Sequence, residues 1–257
     1  MEKTNTIHEM AFLEETSKTY RDSLQSDTIR RLAIQTFLPY LNGGVALELG
    51  CSDGLATNMI ASKVDQLDVI DGSKYFIEKA KNNLEQDNVY FYYSLFEEFQ
   101  QKNKQKYDYI FASYVLEHVM NVEEIFHMMR SNLKDDGLLF ITVPNSRALS
   151  RQLALHMGLL DDLKILTAND TLHGHRRVYD RVTLNKEIEK FGFISISQGG
   201  IMLKILADFQ MDELMGKGIL LEEHIQGLYK LGLEYPDLCG SLFSVCKKAR
   251  DCNHSSI

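Results

Sequence analysis

Hydrophobic and polar positions follow two alternating periods along the chain from residue 45 onward. Short apolar runs of strand length occur at 45–49, 67–71, 88–93, 107–113 and 138–143. Stretches with apolar residues at helical spacing lie between them, at 55–63, 74–84 and 122–133. Strands that alternate with helices in this way predict βαβ units and a parallel sheet that is covered on both faces. The pattern therefore predicts an α/β fold with a doubly wound, mostly parallel sheet.

The regular pattern breaks after residue 145. A helix-like piece followed by a polar stretch makes 146–182 a predicted insertion, and 208–236 is interpreted as a second one. Between them lie a helix with Thr183 as its predicted cap and a sixth strand that Gly199-Gly200 is expected to interrupt. A final strand is predicted at 241–247. Because no crossover helix of the earlier kind separates the two late strands, they are expected to pair as a hairpin at the sheet edge.

The most informative local pattern follows the first predicted strand. Residues 45–54 have the sequence VALELGCSDG, a buried strand that runs into a turn with the order E-x-G-x-S-x-G. Glycine lets the backbone approach a ligand closely and adopt dihedral angles that a Cβ would forbid. The chain shows neither the phosphate-binding P-loop pattern nor the dinucleotide pattern G-x-G-x-x-G at this turn. Glu48, two residues before the first glycine, is a poor partner for a pyrophosphate but a good one for an ammonium group.

Composition narrows the class of protein. With 257 residues, of which 44% are hydrophobic and 25% charged, the chain fits one sizeable globular domain with insertions. The formal net charge of −8 argues against binding to nucleic acid mainly through phosphates, because such binding needs a basic face. The N-terminal segment has no apolar core of signal-peptide length, and no run approaches the roughly 18 apolar residues that span a bilayer. We expect no membrane association and a cytoplasmic location.

The cysteine pattern bears on metal binding and on the cellular compartment. The four cysteines are Cys51, Cys239, Cys246 and Cys252, and they show neither CxxC pairing nor interspersed histidines at ligand spacing. We therefore expect free thiols in a reducing compartment and no metal site.

Several segments between residues 45 and 145 together resemble class I S-adenosylmethionine-dependent methyltransferases. The glycine turn resembles their motif E/D-x-G-x-G-x-G, with Ser52 in place of the middle glycine. Further matching segments follow in the right order: YDYI at 107–110, VLEHV at 115–119, LKDDG at 133–137 and VPN at 143–145. The resemblance implies a Rossmann-like sheet of seven strands whose last strand is inserted antiparallel. It also implies S-adenosylmethionine as the methyl donor and S-adenosylhomocysteine as the product.

The resemblance and the pattern together divide the chain into five segments. They are an N-terminal helical arm (1–44), a cofactor-binding half (45–145), a lid or substrate insertion (146–182), the remainder of the sheet with a helical insertion at 208–236 (183–248), and a tail (249–257). The two insertions are predicted to form a cap over the cofactor-binding half.

Cofactor contacts are implied at the ends of the first four strands. Glu48 would face the amino-acid end of the cofactor. Asp71 ends the second strand about 20 residues after the glycine turn, where an acid can bind ribose hydroxyls, although it could also simply start the next helix. Leu95 and Phe96 would sandwich the adenine or, alternatively, pack in the core. The predicted set is Glu48, Gly50, Cys51, Ser52, Gly54, Asp71, Gly72, Ser73, Leu95, Phe96, Glu97 and Ser113.

Most candidate catalytic and substrate residues lie in or next to the family-like segments 115–119 and 172–179, and two lie on the N-terminal arm. His118 would lie near the methyl donor and could accept a proton from the acceptor, or it could brace the turn after the fourth strand. His173 and His175 are the other candidate bases. Arginine forks match carboxylate and phosphate groups, although an Arg pair is often only a surface feature. The predicted substrate-binding residues are Tyr20, Arg21, Tyr114, Arg176, Arg177 and Tyr179.

These features predict an enzyme that transfers a methyl group to an oxygen or nitrogen atom of a small-molecule metabolite. Arg176 and Arg177 favour an acceptor with an acidic group. A methyltransferase of tRNA or protein remains an alternative, as does a non-catalytic methyltransferase-like binding module, although the intact Glu48, Gly50 and Asp71 argue against the latter. The order of the glycine motif disfavours a nicotinamide oxidoreductase. Homo-oligomer formation is left open.

Overall fold

The computed structural model describes residues 2–19, 23–99 and 105–250. Its strands are β1 Val45–Leu49, β2 Gln66–Asp71, β3 Val89–Tyr93, β4 Tyr107–Ser113, β5 Leu133–Pro144, β6 Phe193–Leu203 and β7 Cys239–Lys248. They form one seven-stranded sheet in the order β3-β2-β1-β4-β5-β7-β6. The first five strands run parallel, whereas β7 lies between β5 and β6 and is antiparallel to both. The predicted α/β fold with its inserted antiparallel strand is confirmed.

Eleven α-helices occur in the described part of the chain. They are α1 Glu2–Thr19, α2 Leu24–Phe37, α3 Leu55–Ala61, α4 Lys74–Asn82, α5 Phe96–Phe99, α6 Val122–Asn132, α7 Leu149–His156, α8 Ala168–Leu172, α9 Arg181–Lys190, α10 Asp208–Gly216 and α11 Glu222–Glu234. Short 3-10 turns follow α2 and precede β7, at Leu38–Tyr40 and Pro236–Leu238.

The central strands of the sheet are largely buried on both faces, which explains their mostly apolar sequences, whereas the edge strand β3 and the first half of β6 are partly exposed. On β1, Leu47 belongs to a hydrophobic cluster that also contains Phe126 of α6 and Ile188 of α9. Its neighbour Ala46 belongs to a second cluster, which includes Phe37 of α2 and residues of α3, α4, α10 and α11. Successive strand residues point to opposite faces, so the two clusters lie on opposite sides of the sheet.

The start of β5 differs from the prediction. The segment LKDDG at 133–137 resembles a helix stop followed by a loop, but β5 already begins at Leu133, immediately after α6 ends at Asn132. Leu133 pairs with Tyr107 of β4, and the Lys134 ammonium lies 2.8 Å from the Asp108 carboxylate on the same strand. Strand β5 therefore begins before these polar residues, and 134–137 lie in an irregularity of the pairing between Leu133 and Leu138.

Two predictions around β6 are also corrected. Gly199 and Gly200 do not interrupt the strand, because both pair with β7. A Cβ on Gly199 would lie 2.8 Å from a Phe243 ring carbon, and one on Gly200 would lie 2.4 Å from the Cys239 sulfur. The glycines thus admit bulky neighbours from β7. Asp180, not Thr183, caps α9, with Thr183 as the partner in a capping box.

The second insertion packs on the sheet and on α2. The backbone N–H of Gln25 donates to Asp212 of α10 at 2.7 Å, and the hydroxyls of Thr36 and Tyr229 of α11 lie 2.9 Å apart. Helix α11 covers β6. None of the residues 208–236 lines the cavity described below.

The described cysteines are buried and unpaired: Cys51, Cys239 and Cys246. Cys252 lies outside the described residues. No helix in the described part of the chain combines the length and the apolar character that a membrane span requires.

Candidate functional site

A cavity of about 1070 Å³ lies at the carboxyl ends of the parallel strands, where open α/β sheets bind their ligands. The strand ends supply Glu48, Leu49, Gly50, Cys51, Ser52, Asp71, Gly72, Ser73, Ser94, Leu95, Phe96, Glu97, Glu98, Ser113, Tyr114, Val115, His118, Val119 and Met120. The remaining lining residues are Thr6, Glu9, Leu13, Thr16, Ser17, Arg30, Ile34, Ala56, Phe76, Asn121, Glu124 and His173. All predicted cofactor residues except Gly54 line this one cavity.

The turn after β1 has the shape that the glycine motif predicts. Gly50 adopts a φ of +78°, and a Cβ placed there would meet only a methyl of Val115, at 3.9 Å. Ser52, in the position of the missing glycine, also has a positive φ, of 48°. Tyr114, after β4, is another non-glycine residue of this kind in the cavity wall, with a φ of 58°. Unusual backbone conformations of this kind cluster at functional sites.

Two buried carboxyl groups lie behind this turn. The Asp71 carboxylate accepts hydrogen bonds from the backbone N–H of Cys51 at 2.9 Å and of Ser73 at 2.8 Å. Glu48 accepts one from the Thr57 hydroxyl at 2.7 Å. Burial, with the nearby Asp71 charge, raises the pKa of Glu48 to about 8, and burial also raises the pKa of Asp71. Both groups would be stabilised in their ionised form by a positively charged ligand.

Gly54 has a different role from Gly50. It begins α3 with a φ of +88°, and a Cβ there would lie 3.0 Å from the Cα of Ala80 in α4. Gly54 is not among the residues that line the cavity. Its absent side chain serves the close packing of α3 on α4.

The segments after β3 and β4 form the far wall. Leu95 and Phe96 border the cavity, as does Glu97, whose pKa is raised by burial. The Ser113 hydroxyl, at the end of β4, is buried and has no hydrogen-bond partner in the described structure. Tyr114 also borders the cavity, and its hydroxyl donates to Ser241 at 2.9 Å.

Helix α1 covers the cavity and is attached at both ends of it. Beside the start of α4, Ser73 donates to Glu14 at 3.0 Å, and Leu13 contacts Gly72 so closely that a Cβ on the glycine would lie 2.5 Å from it. At the other end, Glu9 pairs with Arg176 at 2.8 Å. The sequence showed an arm here but did not identify its lining residues, because contacts between segments so distant in sequence have no local signal. Tyr20 and Arg21 lie outside the described residues.

The three candidate histidines lie close together but not all in the cavity wall. His118 and His173 line the cavity, whereas His175 lies behind His118, with the two ring centres 4.8 Å apart. Partial burial, together with the neighbouring His175, lowers the pKa of His118. His118 is therefore neutral and only weakly basic near pH 7. That one of these histidines acts as the base stays a prediction.

The arginine pair that was predicted to bind an acidic acceptor does not line the cavity. Arg176 is engaged by Glu9, and the Arg177 guanidinium donates to the backbone carbonyls of Leu116 and Met120. The Tyr179 hydroxyl donates to Glu187 at 2.8 Å. None of the three lines the cavity. They instead attach residues 176–179 to the loop after β4 and to α9.

Charged groups in the cavity wall are mainly acidic. Arg30 is the exception, and its guanidinium forms a fork with the Asp53 carboxylate, with two N···O distances of 2.8 Å. S-adenosylmethionine carries a sulfonium and an ammonium group, so a wall with buried carboxylates suits it. The space above Gly50 and the unpartnered Ser113 hydroxyl also fit a polar ligand at this position. The residues present therefore fit the implied cofactor.

Comparison with known proteins agrees with this geometry. Residues 19–198 match a family model described as a methyltransferase domain. The DhpI–SAH complex aligns with a TM-score of 0.60 at 14% identity, over 94% of this chain and 95% of that one. The N-methyltransferase NodS from Bradyrhizobium japonicum WM9, solved with S-adenosyl-L-homocysteine, aligns with a TM-score of 0.52 at 13% identity, over 86% and 83%.

A SAM-dependent methyltransferase from Archaeoglobus fulgidus aligns with a TM-score of 0.56 at 16% identity, over 85% of this chain and 92% of that one. These likenesses establish the shared fold. A comparison with curated proteins finds no match. Because the family model spans more than half of the chain, the protein belongs to the methyltransferase-domain family and is a class I, S-adenosylmethionine-dependent methyltransferase.

Proposed function

We propose that this enzyme methylates an oxygen or nitrogen atom of a small-molecule metabolite. The observation that carries the proposal is the cavity of about 1070 Å³ beneath α1. Sites for one small molecule usually measure about 300–1,000 Å³, so this cavity has room for the cofactor and a modest second molecule. A macromolecular acceptor would need an open approach to the methyl group, which α1 covers.

The protein's part in such a reaction is mainly to position the two molecules. The sulfonium of the bound donor supplies an already activated methyl group. Glu48 and Asp71 would hold and orient the amino-acid and ribose ends of the donor, while Leu95 and Phe96 would contact its base. Helix α1, which lines one side of the cavity, would limit the space open to the acceptor. Orientation of this kind can supply about 7–11 kcal/mol of the barrier reduction.

The charge of the wall bears on the acceptor. Glu97 and Glu124 line the cavity, whereas Glu9 is paired with Arg176 and the Arg177 guanidinium donates to backbone carbonyls. An anionic acceptor would be repelled by this wall, because like charges in a partly desolvated site interact strongly. We therefore replace the acidic acceptor predicted from the sequence by a neutral or cationic one, such as an alcohol or an amine.

The direct test is an untargeted search by mass spectrometry. Purified protein and S-adenosylmethionine are incubated with fractionated metabolite extract, and masses that increase by one methyl group are identified. We expect a neutral or basic metabolite to be methylated. A methyl group that appears only on RNA or protein fractions would instead support the macromolecular alternative, and the absence of any methylated species would support the non-catalytic one.

Binding of the product should depend on pH through Glu48. Burial raises the pKa of Glu48 to about 8, so the carboxyl group is protonated near pH 7 without a ligand. The ammonium group of S-adenosylhomocysteine favours the ionised form, and binding should therefore release a proton. Affinity should increase as the pH rises toward about 8, by at most about tenfold per pH unit.

Calorimetry between about pH 6 and 8 checks this dependence. Glu48→Gln is the matched control, because it keeps the shape of the side chain but cannot ionise, and its pH dependence should be flat. A dependence that is the same in Glu48→Gln and in the unmodified protein would place the titrating group elsewhere.

A further inference from the structure

Behind the cavity wall, three potential metal ligands converge. One carboxylate oxygen of Glu117 and one ring nitrogen each of His118 and His175 all lie within 4.8 Å of one another. The His118 Nε2 and a Glu117 oxygen are 4.0 Å apart. Glu117 and His118 follow β4, and His175 reaches them because the backbone N–H of Arg176 donates to the Glu117 carbonyl at 2.7 Å.

Glu117 is the observation that points to a ligand. Its side chain is 1% exposed, and neither carboxylate oxygen has a hydrogen-bond partner in the described structure. A buried carboxylate that lacks partners is strongly unfavourable, so such groups are normally protonated, paired or bound to a metal. The nearby Arg177 does not satisfy it, since its guanidinium donates to backbone carbonyls.

His175 is held as metal-binding histidines usually are. The Nδ1 of His175 lies 3.3 Å from the Asp170 carboxylate, which leaves Nε2 to face the cluster. Asp170 is itself fixed by Arg151 at 2.9 Å and by the Thr167 hydroxyl at 2.7 Å. A carboxylate or a backbone group behind a histidine fixes the tautomer and directs the other nitrogen at the metal.

We propose that Glu117, His118 and His175 bind one divalent first-row transition metal ion, with Zn²⁺ as the expected ion. Two imidazoles and a carboxylate suit Zn²⁺ or its neighbours, whereas Mg²⁺ prefers oxygen ligands throughout. With metal–ligand distances of about 2.0–2.2 Å, the ligand atoms must draw about 1 Å closer together. His118 can supply this movement, because its side chain is 35% exposed and borders the cavity.

The proposed metal site adds to the proposed function, and its role in the reaction rests on that function. Three protein ligands leave coordination positions open, and His118 places them beside the cavity that would hold the acceptor. A hydroxyl or amine of the acceptor would then complete the coordination. The sequence prediction of no metal considered cysteine spacing and could not see this cluster, because His175 lies far along the chain from the Glu117-His118 pair.

Metal binding is tested by calorimetric titration of chelator-treated protein with Zn²⁺, with the bound metal counted by mass spectrometry. We expect one ion per chain. Glu117→Gln and His175→Ala should each lower the affinity at least 100-fold, and Asp170→Asn, which acts through His175, about 10–100-fold. A Co²⁺ absorption spectrum with nitrogen and oxygen ligands should appear in the unmodified protein and be lost in Glu117→Gln.

The matched control is His127→Ala. His127 and Glu123 form an exposed pair with 3.7 Å between Nε2 and Oε1, so this variant removes a surface His–Glu pair outside the cluster and should leave zinc affinity unchanged. Absence of zinc binding, or equal affinity in Glu117→Gln, His175→Ala and the unmodified protein, would overturn the proposal. S-adenosylhomocysteine binding, measured on the same metal-free samples, reports separately on the fold and on the cofactor site.

Discussion

Asp71→Ala is expected to weaken S-adenosylhomocysteine binding by about 1.5–3 kcal/mol, or roughly 10- to 150-fold in the dissociation constant. The substitution removes the carboxylate that is expected to accept hydrogen bonds from the ribose hydroxyls. It also leaves the backbone N–H groups of Cys51 and Ser73 without the acceptor that they now have at 2.9 and 2.8 Å. The turn after β1 and the start of α4 would both loosen, so the loss should fall toward the upper end of this range. Isothermal titration calorimetry measures it directly.

Asp71→Asn is the matched control. The amide keeps one acceptor oxygen and the side-chain shape but loses the charge, so the loss of affinity should be smaller than in Asp71→Ala. If Asp71→Ala binds the product as tightly as the unmodified protein does, Asp71 has no part in the cofactor site and serves only to start α4.

Gly54→Ala is expected to lower the free energy of unfolding by about 2–5 kcal/mol. The left-handed φ of +88° costs a residue with a Cβ about 1–2 kcal/mol. The new methyl would lie 3.0 Å from the Cα and 3.1 Å from the carbonyl oxygen of Ala80, and overpacking of this kind costs about 1–3 kcal/mol. Because these contacts are with backbone, the neighbour cannot simply rotate away. Urea denaturation gives the difference.

Gly158→Ala separates the cost of the left-handed backbone conformation from the cost of overpacking. Gly158 has a similar φ of +72°, but nothing lies within 4 Å of a Cβ placed there. This variant should therefore show only the backbone cost of about 1–2 kcal/mol. Equal losses in the two variants would mean that α3 and α4 are not closely packed at Gly54.

The architecture could be predicted from the sequence because it depends on local patterns. Apolar runs of strand length, separated by helical periodicity, predict a parallel sheet with both faces covered. The predictions of local structure were wrong where a contact with a residue distant in sequence decides that structure. Gly199 and Gly200 look like a break in a strand, but the neighbouring Phe243 and Cys239 require their missing side chains. No local signal carries that information.

The same distinction applies to the candidate site, where some residues could be predicted from local sequence and others could not. Residues that end strands, such as Glu48 and Asp71, could be assigned to one cavity because parallel strands present their carboxyl ends at a common edge. Arg176 looked like an anion-binding residue, but whether a guanidinium faces a cavity or a neighbouring Glu9 depends on how distant segments meet. Glu117 was not singled out, because its missing hydrogen-bond partners are a property of the folded structure.

The attachment of α1 at both ends of the cavity has a thermodynamic consequence. The Ser73 hydroxyl donates to Glu14 of α1 beside the expected position of the donor, and Arg176 pairs with Glu9 of α1 near the other end of the cavity. A ligand that orders one end of α1 reduces the conformational entropy that the helix must still lose when a second ligand binds near its other end. We therefore expect donor and acceptor to bind with positive cooperativity, in which case each must raise the affinity of the other by the same factor.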